Sequence, residues 1–476
     1  MSEALRHVHF VAICGVGMGS LAGLVRARGA KVTGSDDQLY PPMSTALERW
    51  GIPVHRGFRA EHVVAGSPDL VVIGNAVPPD NPEARAAIDE GFAYLSFPDA
   101  LHQLAIAGRH SVVVAGTHGK TTTTALVAWL LQGSGRDPSL LVGGFCLDFD
   151  GSFREGQGEH FVVEGDEYDT AFFDKTPKFL HYGARTLMIT SVEFDHADIY
   201  RDLEQVKEAF RTLVSRMPPD GTIVAAVNHP DVRDVVKQAP CRVVGYGVGE
   251  AGAPAWRAAC LEAGPEGTAF ELRRDDAEVL PVRVPLHGRF NVENALGALA
   301  TLDALGVPAA EALGPLARFR GVKRRQEIRG EARGVLVIDD FAHHPTAVRG
   351  TIEAMRARFP ERRLVAVFEP RTNTSRRAVF QERYAEAFDG AHRVVVSIPP
   401  ATPLYSATGE VTEFFSTERL AADLRARGLD ARSLAGVDAI VEHLADTCEP
   451  GDAVLVMSNG AFGNIWERLL EALRPS

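Results

Sequence analysis

Cysteine is scarce in this chain. There are five, Cys14, Cys146, Cys241, Cys260 and Cys448, scattered, odd in number and without metal-site spacing. That excludes a disulfide framework and a cysteine-ligated zinc centre, and fits reduced thiols in a cytoplasmic protein. Basic charge is in deficit too: 50 Lys and Arg against 62 Asp and Glu leave a net charge of −12. A general nucleic-acid binder needs a basic footprint, so that class is set aside. Small anionic substrates are not, because a local basic site can sit on an acidic protein. No apolar run approaches the ~20 residues that span a bilayer. The opening Met1-Ser2-Glu3-Ala4-Leu5-Arg6-His7 leads into an apolar strand and a glycine turn, not a signal-peptide core. Low-complexity segments and short repeats are missing as well. What is present, 45% hydrophobic and 24% charged residues over 476 positions, is an ordinary globular composition with room for about three domains.

The most informative stretch is Ser111-Val112-Val113-Val114-Ala115-Gly116-Thr117-His118-Gly119-Lys120-Thr121-Thr122. Small and β-branched apolar residues predict a buried strand, and Ala125 to Leu131 predicts an apolar helix. Gly116 to Thr122 lie where one becomes the other. Helix N–H groups and the positive dipole end favour phosphate there. Lysine adds a point charge and a threonine hydroxyl can ligate Mg²⁺. The usual phosphate loop has four residues between its first glycine and Gly-Lys; here only Thr117 and His118 intervene. This is a shortened variant.

The chain begins with a related pattern. Strand Val8 to Cys14, the turn Gly15-Val16-Gly17-Met18-Gly19, a helix and strand Lys31 to Gly34 run to Ser35-Asp36. A βαβ unit with glycines and an acid about 20 residues on has the form of a dinucleotide fingerprint. Any pyrophosphate ligand suits the same helix start. A further strand, Leu70 to Gly74, ends at Asn75. After the phosphate loop, strand Phe161-Val162-Val163 runs into Glu164-Gly165-Asp166-Glu167-Tyr168-Asp169, and strand Thr186 to Thr190 runs into Glu193-Phe194-Asp195-His196-Ala197-Asp198. Carboxylates crowded at a strand end repel one another unless a cation sits among them. Beside a phosphate loop, oxygen ligands suit Mg²⁺. A lone histidine is ordinarily structural; its place in an acid-rich strand end makes His196 a candidate ligand.

Residues 250–280 predict a small β excursion. Next, Asn291 and Asn294 share a helical face at i, i+3; that face can read an adenine edge, or Asn291 can serve as a structural cap. Lys323-Arg324-Arg325 marks a boundary, as Ala107 does earlier. The last segment alternates strands and helices, with Asp340, His344, Arg371, Asn373, Ser458 and Asn459 at the carboxyl strand ends that form the crevice of a parallel sheet.

Gly116-Thr117-His118-Gly119-Lys120-Thr121 resembles the ATP loop of the Mur ligases, the ATP-dependent amide-bond ligases of peptidoglycan synthesis. Asp340-Phe341-Ala342-His343-His344-Pro345-Thr346 resembles the opening of their third domain. The resemblance covers essentially the whole chain. It implies an α/β architecture of three domains: a Rossmann-like UDP-N-acetylmuramate-binding domain over 1–107, a central P-loop-type ATPase domain with a mostly parallel sheet over 108–323, and a Rossmann-like peptide-binding domain over 324–476. Tyr40-Pro41-Pro42-Met43-Ser44-Thr45, Asp166 to Lys175, Glu193 to Asp198 and Met457 to Gly463 resemble the branch that joins L-Ala-γ-D-Glu-meso-diaminopimelate to UDP-N-acetylmuramate in murein recycling.

The resemblance further implies that ATP activates a substrate carboxylate as an acyl phosphate. Gly116 to Thr122, with Lys120 foremost, would hold the outer phosphates; Thr121 and Glu164 one Mg²⁺; His196 a second. Asn291 and Asn294 would contact adenine, Arg325 phosphate and Asp340 ribose. Gly15, Gly17, Met18 and Gly19 would take the UDP pyrophosphate, with Ser35, Asp36 and Asn75 near uridine. His344, Arg371, Asn373, Ser458 and Asn459 would meet the peptide. A monomer or weak homo-oligomer is expected, with no nucleic-acid or membrane partner. Two positions depart from the pattern: Arg211 stands where several relatives carry a carbamylated lysine, and Phe290 where relatives often have histidine. Three alternatives stay open: the L-alanine-adding ligase, an NAD-dependent dehydrogenase built on the first glycine turn, and a nucleotide-binding regulator without chemistry.

Overall fold

The computed structural model of the chain describes residues 6–39, 43–274, 279–400, 404, 406, 407 and 409–474. Tyr40, Pro41 and Pro42, quoted above for the resemblance, lie outside them. The described residues form two compact units. The first holds Met1–Val192, Lys207–Trp256 and Gly297–Val322; the second holds Glu193–Val206, Arg257–Leu296 and Lys323–Ser476.

The first unit contains a parallel sheet in the order Val54–Arg56, Lys31–Asp36, His7–Val11, Leu70–Ile73, Tyr94–Ser96. His7–Val11 and Leu70–Ile73 are buried along their whole length, as strands covered on both faces are. They are spatial neighbours but not sequence neighbours. The strand order therefore reverses between them, and a crevice opens at their carboxyl ends. The first strand is shorter than the apolar run suggests: Ala12 already has φ 64°, so the turn starts there and Ile13 and Cys14 belong to it.

A second sheet of this unit runs Arg242–Val248, Thr222–Ala226, Thr186–Ile189, His110–Ala115, His160–Gly165, Ser139–Cys146, Gly151–Arg154. The pairings are parallel as far as Ser139–Cys146, and Gly151–Arg154 closes the edge antiparallel. His110–Ala115 lies between the two acid-ending strands. The two sheets are fastened by side chains. Ser20 Oγ lies 2.6 Å from Ser152 Oγ. The Phe153 ring lies against Gly23, where a Cβ would come within 2.4 Å of it. It meets Trp50 edge-on at 5.0 Å. A hairpin of Asp169–Ala171 and Asp174–Pro177 carries Phe172 against the apolar cluster of Val11, Val71 and Ile73.

The second unit is built on the sheet Glu327–Ala332, Val335–Asp340, Asp452–Met457, Arg363–Phe368, Arg393–Ile398, Asp430–Ala435. It is parallel except for its first strand. Separate apolar clusters cover its two faces, one around Ile338, Met355, Phe368 and Phe388, the other around Val337, Val367, Ile440 and Trp466. The two edge strands have polar, half-exposed sequences and escape an apolar-run reading. The expected β excursion is present: Gly267–Arg274 pairs antiparallel with Leu280–Val284. Among the described residues no helix is long and apolar enough to cross a membrane.

Candidate functional site

Gly116 leaves the strand at φ 139°, and a Cβ there would lie 2.1 Å from Thr190 Oγ1. Only glycine fits. Gly119, at φ 78°, turns the chain into helix Lys120–Gly133, whose start carries neither a side-chain cap nor an acidic residue in its first turn. The loop is shaped from behind: Ser191 O accepts from Thr117 N–H at 3.0 Å, Ser191 Oγ from His118 N–H at 2.9 Å, and Thr190 Oγ1 donates to His118 O at 2.6 Å. Those two N–H groups are thus committed, and the donors for a phosphate are sought from Gly119 onward. Lys120, 12% exposed, reaches Glu167 Oε2 at 2.8 Å and donates to Gly116 O at 2.6 Å. Burial pushes its ammonium down, but Glu167, Asp166 and Glu164 outweigh this and its pKa is raised. The lysine is firmly cationic.

The crowded carboxylates after the strand find cations of the protein's own. Glu167 has Lys120, Asp166 has Lys178 at 3.1 Å, and Asp169 has Lys175 at 2.7 Å. The expectation that repulsion here demands a metal is corrected for these three. The signal was in reach, since Lys175 and Lys178 follow within the same stretch. Glu164 differs. Its carboxylate accepts from neutral donors, Thr121 Oγ1 at 2.8 Å and Gly143 N–H at 2.7 Å, and burial raises its pKa. Thr121 and Glu164 thus present adjacent oxygens beside the loop, a donor set that fits Mg²⁺. His196 belongs to the other compact unit, so the expected metal ligands are divided between units.

In the crevice of the first sheet, Gly15 stands at the start of helix Val16–Ala27, again with no side-chain cap and no acid in the first turn. Among the described residues a Cβ on Gly15 would meet nothing within 4 Å, whereas one on Gly17 would touch Phe97 at 3.2 Å and one on Gly19 would lie 2.2 Å from Met43 Sδ. The first glycine leaves room for a ligand; the other two allow close packing. Met18 is buried beneath the turn. Asp36 is tied into the turn, accepting from Cys14 N–H at 2.8 Å and Gln38 N–H at 3.1 Å. Ser35 is a correction: it is fully buried and its hydroxyl donates to Glu83, so it does not present that hydroxyl to a ligand. Glu83, unnoticed in the sequence, also accepts from His62 Nδ1 at 2.6 Å and lies 3.1 Å from His9 Nε2. Asn75 reaches the hairpin of Asp169–Ala171 and Asp174–Pro177, where its amide donates to the main-chain carbonyl of Asp169.

In the second unit, His196 sits at φ 54°. Its N–H donates to Asp195 Oδ1 at 2.7 Å. Burial acts to raise the Asp195 pKa, but His196, His343 and His344 hold it well below the usual range. Ala197 N–H donates to Thr374 Oγ1 at 2.9 Å and Asn373 Nδ2 to Asp198 Oδ2 at 3.3 Å, which fastens this acidic loop to the C-terminal sheet. His344 is a second correction. It is 1% exposed, caps helix Pro345–Arg358 by accepting from Thr346 N–H at 3.2 Å, and lies 3.2 Å from Phe194 O, so it is not an open contact for a peptide. Ser458 is a third, buried with its hydroxyl on Glu369. Asn459 differs, for among the described residues its buried Oδ1 has no hydrogen-bond partner. Arg371 is exposed and lies across Gly460, where a Cβ would come within 1.9 Å of its guanidinium.

Asn291 and Asn294 are each 5% exposed and joined at 3.2 Å. Asn291 Nδ2 donates to His287 O at 2.8 Å, so its amide anchors the helix start. Asp340 accepts from Gln326 and Ala342 N–H, both at 2.8 Å, and burial raises its pKa against the pull of Arg325. The Arg325 guanidinium lies 4.8 Å from the Phe341 ring centre. Arg211 pairs with Asp234 at 2.8 Å. Phe290 rests beside Gly350.

Comparison with known proteins gives the arrangement its family. Residues 7–109 match the Mur ligase family catalytic domain, 114–302 the Mur ligase middle domain, and 324–460 the Mur ligase glutamate ligase domain. The UDP-N-acetylmuramate–L-alanyl-γ-D-glutamyl-meso-2,6-diaminoheptandioate ligase of Escherichia coli (strain K12) is 39% identical, covering 98% of each chain. The UDP-N-acetylmuramate–L-alanine ligase of Caldanaerobacter subterraneus subsp. tengcongensis is 33% identical, with 98% of each covered. The crystal structure of a murein peptide ligase from Psychrobacter arcticus 273-4 superposes with a TM-score of 0.74 at 35% identity over 98% of both chains. With its three domains matched in order and full-length relatives on both counts, this chain belongs to the Mur ligase family.

Proposed function

We propose that the chain joins the tripeptide L-Ala-γ-D-Glu-meso-diaminopimelate to UDP-N-acetylmuramate, using ATP, in murein recycling in the cytoplasm. The supporting observation is the pairing, in one compact unit, of an uncapped glycine-turn crevice with a second uncapped helix start that carries Lys120. Full-length likeness to a ligase of that printed activity supports the substrate choice. We read the domains as 1–107, 108–323 and 324–476.

In the first step a substrate carboxylate oxygen would attack the γ-phosphorus; the bond to the β-phosphate oxygen breaks and ADP leaves. In the second, the neutral amine nitrogen attacks the acyl carbon, the acyl C–O bond breaks, and phosphate leaves with the proton that nitrogen gives up. Free carboxylate is a poor acylating agent, so activation supplies the leaving group. Phosphoryl transfer needs positioning and charge stabilisation more than covalent help. Lys120 and the helix start would hold the phosphates. Thr121 and Glu164 would hold Mg²⁺, which neutralises charge on the phosphate oxygens when bound; His196 would serve a second ion. Asn291 and Asn294 would take adenine, Arg325 phosphate and Asp340 ribose. Gly15–Gly19, Asp36 and Asn75 would take the UDP part, and Arg371, Asn373 and Asn459 the peptide.

The test is ADP release from ATP and UDP-N-acetylmuramate with either tripeptide or L-alanine as acceptor. Faster turnover with tripeptide is expected. Equal or better use of L-alanine would make the chain an alanine-adding ligase. Tight NAD(H) binding without ATP turnover would move it to the dehydrogenases.

A further inference from the structure

The crevice and the phosphate loop of the first unit are joined by one short piece of chain. At the crevice, Asn75 follows strand Leu70–Ile73, the strand bordering the order reversal. Its amide donates to the main-chain carbonyl of Asp169 and, at 3.2 Å, to Asp169 Oδ1. At the phosphate loop, Glu167 is 2% exposed and lies 2.8 Å from Lys120 Nζ. Glu167 and Asp169 are two residues apart, so their Cα atoms are at most about 7 Å apart. A displacement at one is felt at the other.

The far side of this segment is clamped. Asp169 begins the hairpin whose Phe172 packs on the core of the first sheet. The Phe173 ring meets Tyr94 at 5.5 Å, Lys175 holds Asp169 Oδ2 at 2.7 Å, and His181 Nδ1 lies 2.8 Å from Asp99 Oδ1. Motion is therefore constrained to the stretch between Asn75 and Lys120. A buried carboxylate separated from its cation is costly, so Lys120 follows Glu167 rather than parting from it.

We propose that the segment Glu167–Asp169 couples the two nucleotide sites: a UDP-sugar in the crevice fixes Asn75, Asn75 fixes Asp169, and Glu167 then holds Lys120 in the position that receives ATP. Glu167 and Asp169 are positioning residues, since each acts through another side chain. The inference rests on the reading of UDP-N-acetylmuramate and ATP as ligands. Coupling of this kind is reciprocal, so ATP tightens the UDP-sugar by the same factor.

The experiment is calorimetric titration of the full chain with adenylyl imidodiphosphate and Mg²⁺, with and without UDP-N-acetylmuramate. The wild type is expected to bind the analogue about fivefold or more tightly when the UDP-sugar is present. Asp169→Ala keeps the main-chain acceptor but loses the side-chain one and the pairing with Lys175, and is expected to bind each nucleotide alone within twofold of wild type while the enhancement falls at least twofold. Asp169→Asn keeps the Oδ1 and main-chain acceptors and is expected to retain it, which a general structural role would not predict. Glu167→Gln is expected to lower kcat at least tenfold and to abolish the ATP-dependent tightening of UDP-N-acetylmuramate, whose affinity without ATP stays within twofold of wild type. Hydrogen exchange of the 166–169 amides needs no variant and is expected to slow when the UDP-sugar is added. A wild-type ratio of one, an undiminished enhancement in Asp169→Ala, or unchanged exchange of the 166–169 amides overturns the coupling. Failure of the wild type to bind either nucleotide overturns instead the functional reading beneath it.

Discussion

Two glycine turns in the same unit leave helix starts uncapped, yet they are built differently. The turn at Gly15–Gly19 has ordinary backbone at its first glycine (φ −66°) and open space beside it. The turn at Gly116–Gly119 holds its first glycine in a conformation that L side chains rarely adopt, pressed against Thr190 and Ser191. The first has no cation of its own within the turn, and its acid, Asp36, is occupied with backbone N–H groups. The second carries a largely covered lysine held by a buried glutamate. One is a passive anion seat. The other is a strained, charged and pre-aimed device, as expected where a phosphoryl group must be moved as well as bound.

That contrast can be tested from either side, and the largest effect belongs to the charged turn. Lys120→Ala is expected to lower kcat by 10³-fold or more, on the scale of a removed phosphate cation, while UDP-N-acetylmuramate affinity measured without ATP stays within about twofold. Loss of both together would mean the two turns serve one ligand. Glu164→Gln comes next. It keeps a hydrogen-bond acceptor for Thr121 but loses the charge, so activity at limiting Mg²⁺ is expected to fall about 10²-fold and to recover partly at high Mg²⁺; a Mg²⁺ titration curve unchanged from wild type would remove Glu164 from the metal set. Gly116→Ala is expected to destabilise by about 2 to 3 kcal/mol, from its unfavourable φ and the clash with Thr190, read by chemical denaturation. The smallest effect is at the open turn. Gly15→Ala is expected to change stability by less than about 0.5 kcal/mol and to weaken only the UDP-sugar, about tenfold. An equal stability loss at Gly15 and Gly116 would erase the distinction.

Much of the fold was legible because strands buried on both faces must be apolar throughout. Val112 to Ala115, Val162-Val163 and Val454 to Met457 announce themselves. Glu327–Ala332 and Asp430–Ala435 did not, because edge strands face water on one side and look like loops. Residue types at strand ends identified the site region, but the partners of those residues were hidden. Ser35, His344 and Ser458 looked like ligand contacts and proved committed to Glu83, to a helix start and to Glu369. A hydroxyl or imidazole carries no mark in sequence of which neighbour it will satisfy, and neighbours far along the chain supply most of the choices.

By itself the sequence determined the alternation of strand and helix, the two glycine turns, Lys120 at a helix start and the family. Each depends on local pattern: apolar periodicity, φ freedom at glycine, a cation beside helix N–H groups. Only the tertiary structure decided how the charges settle. It set Glu167 against Lys120, left Glu164 with neutral donors beside Thr121, and bound Asn75 to Asp169. Coulombic and hydrogen-bond energies depend on distances through space, and those distances exist only once the strands that carry the residues lie side by side.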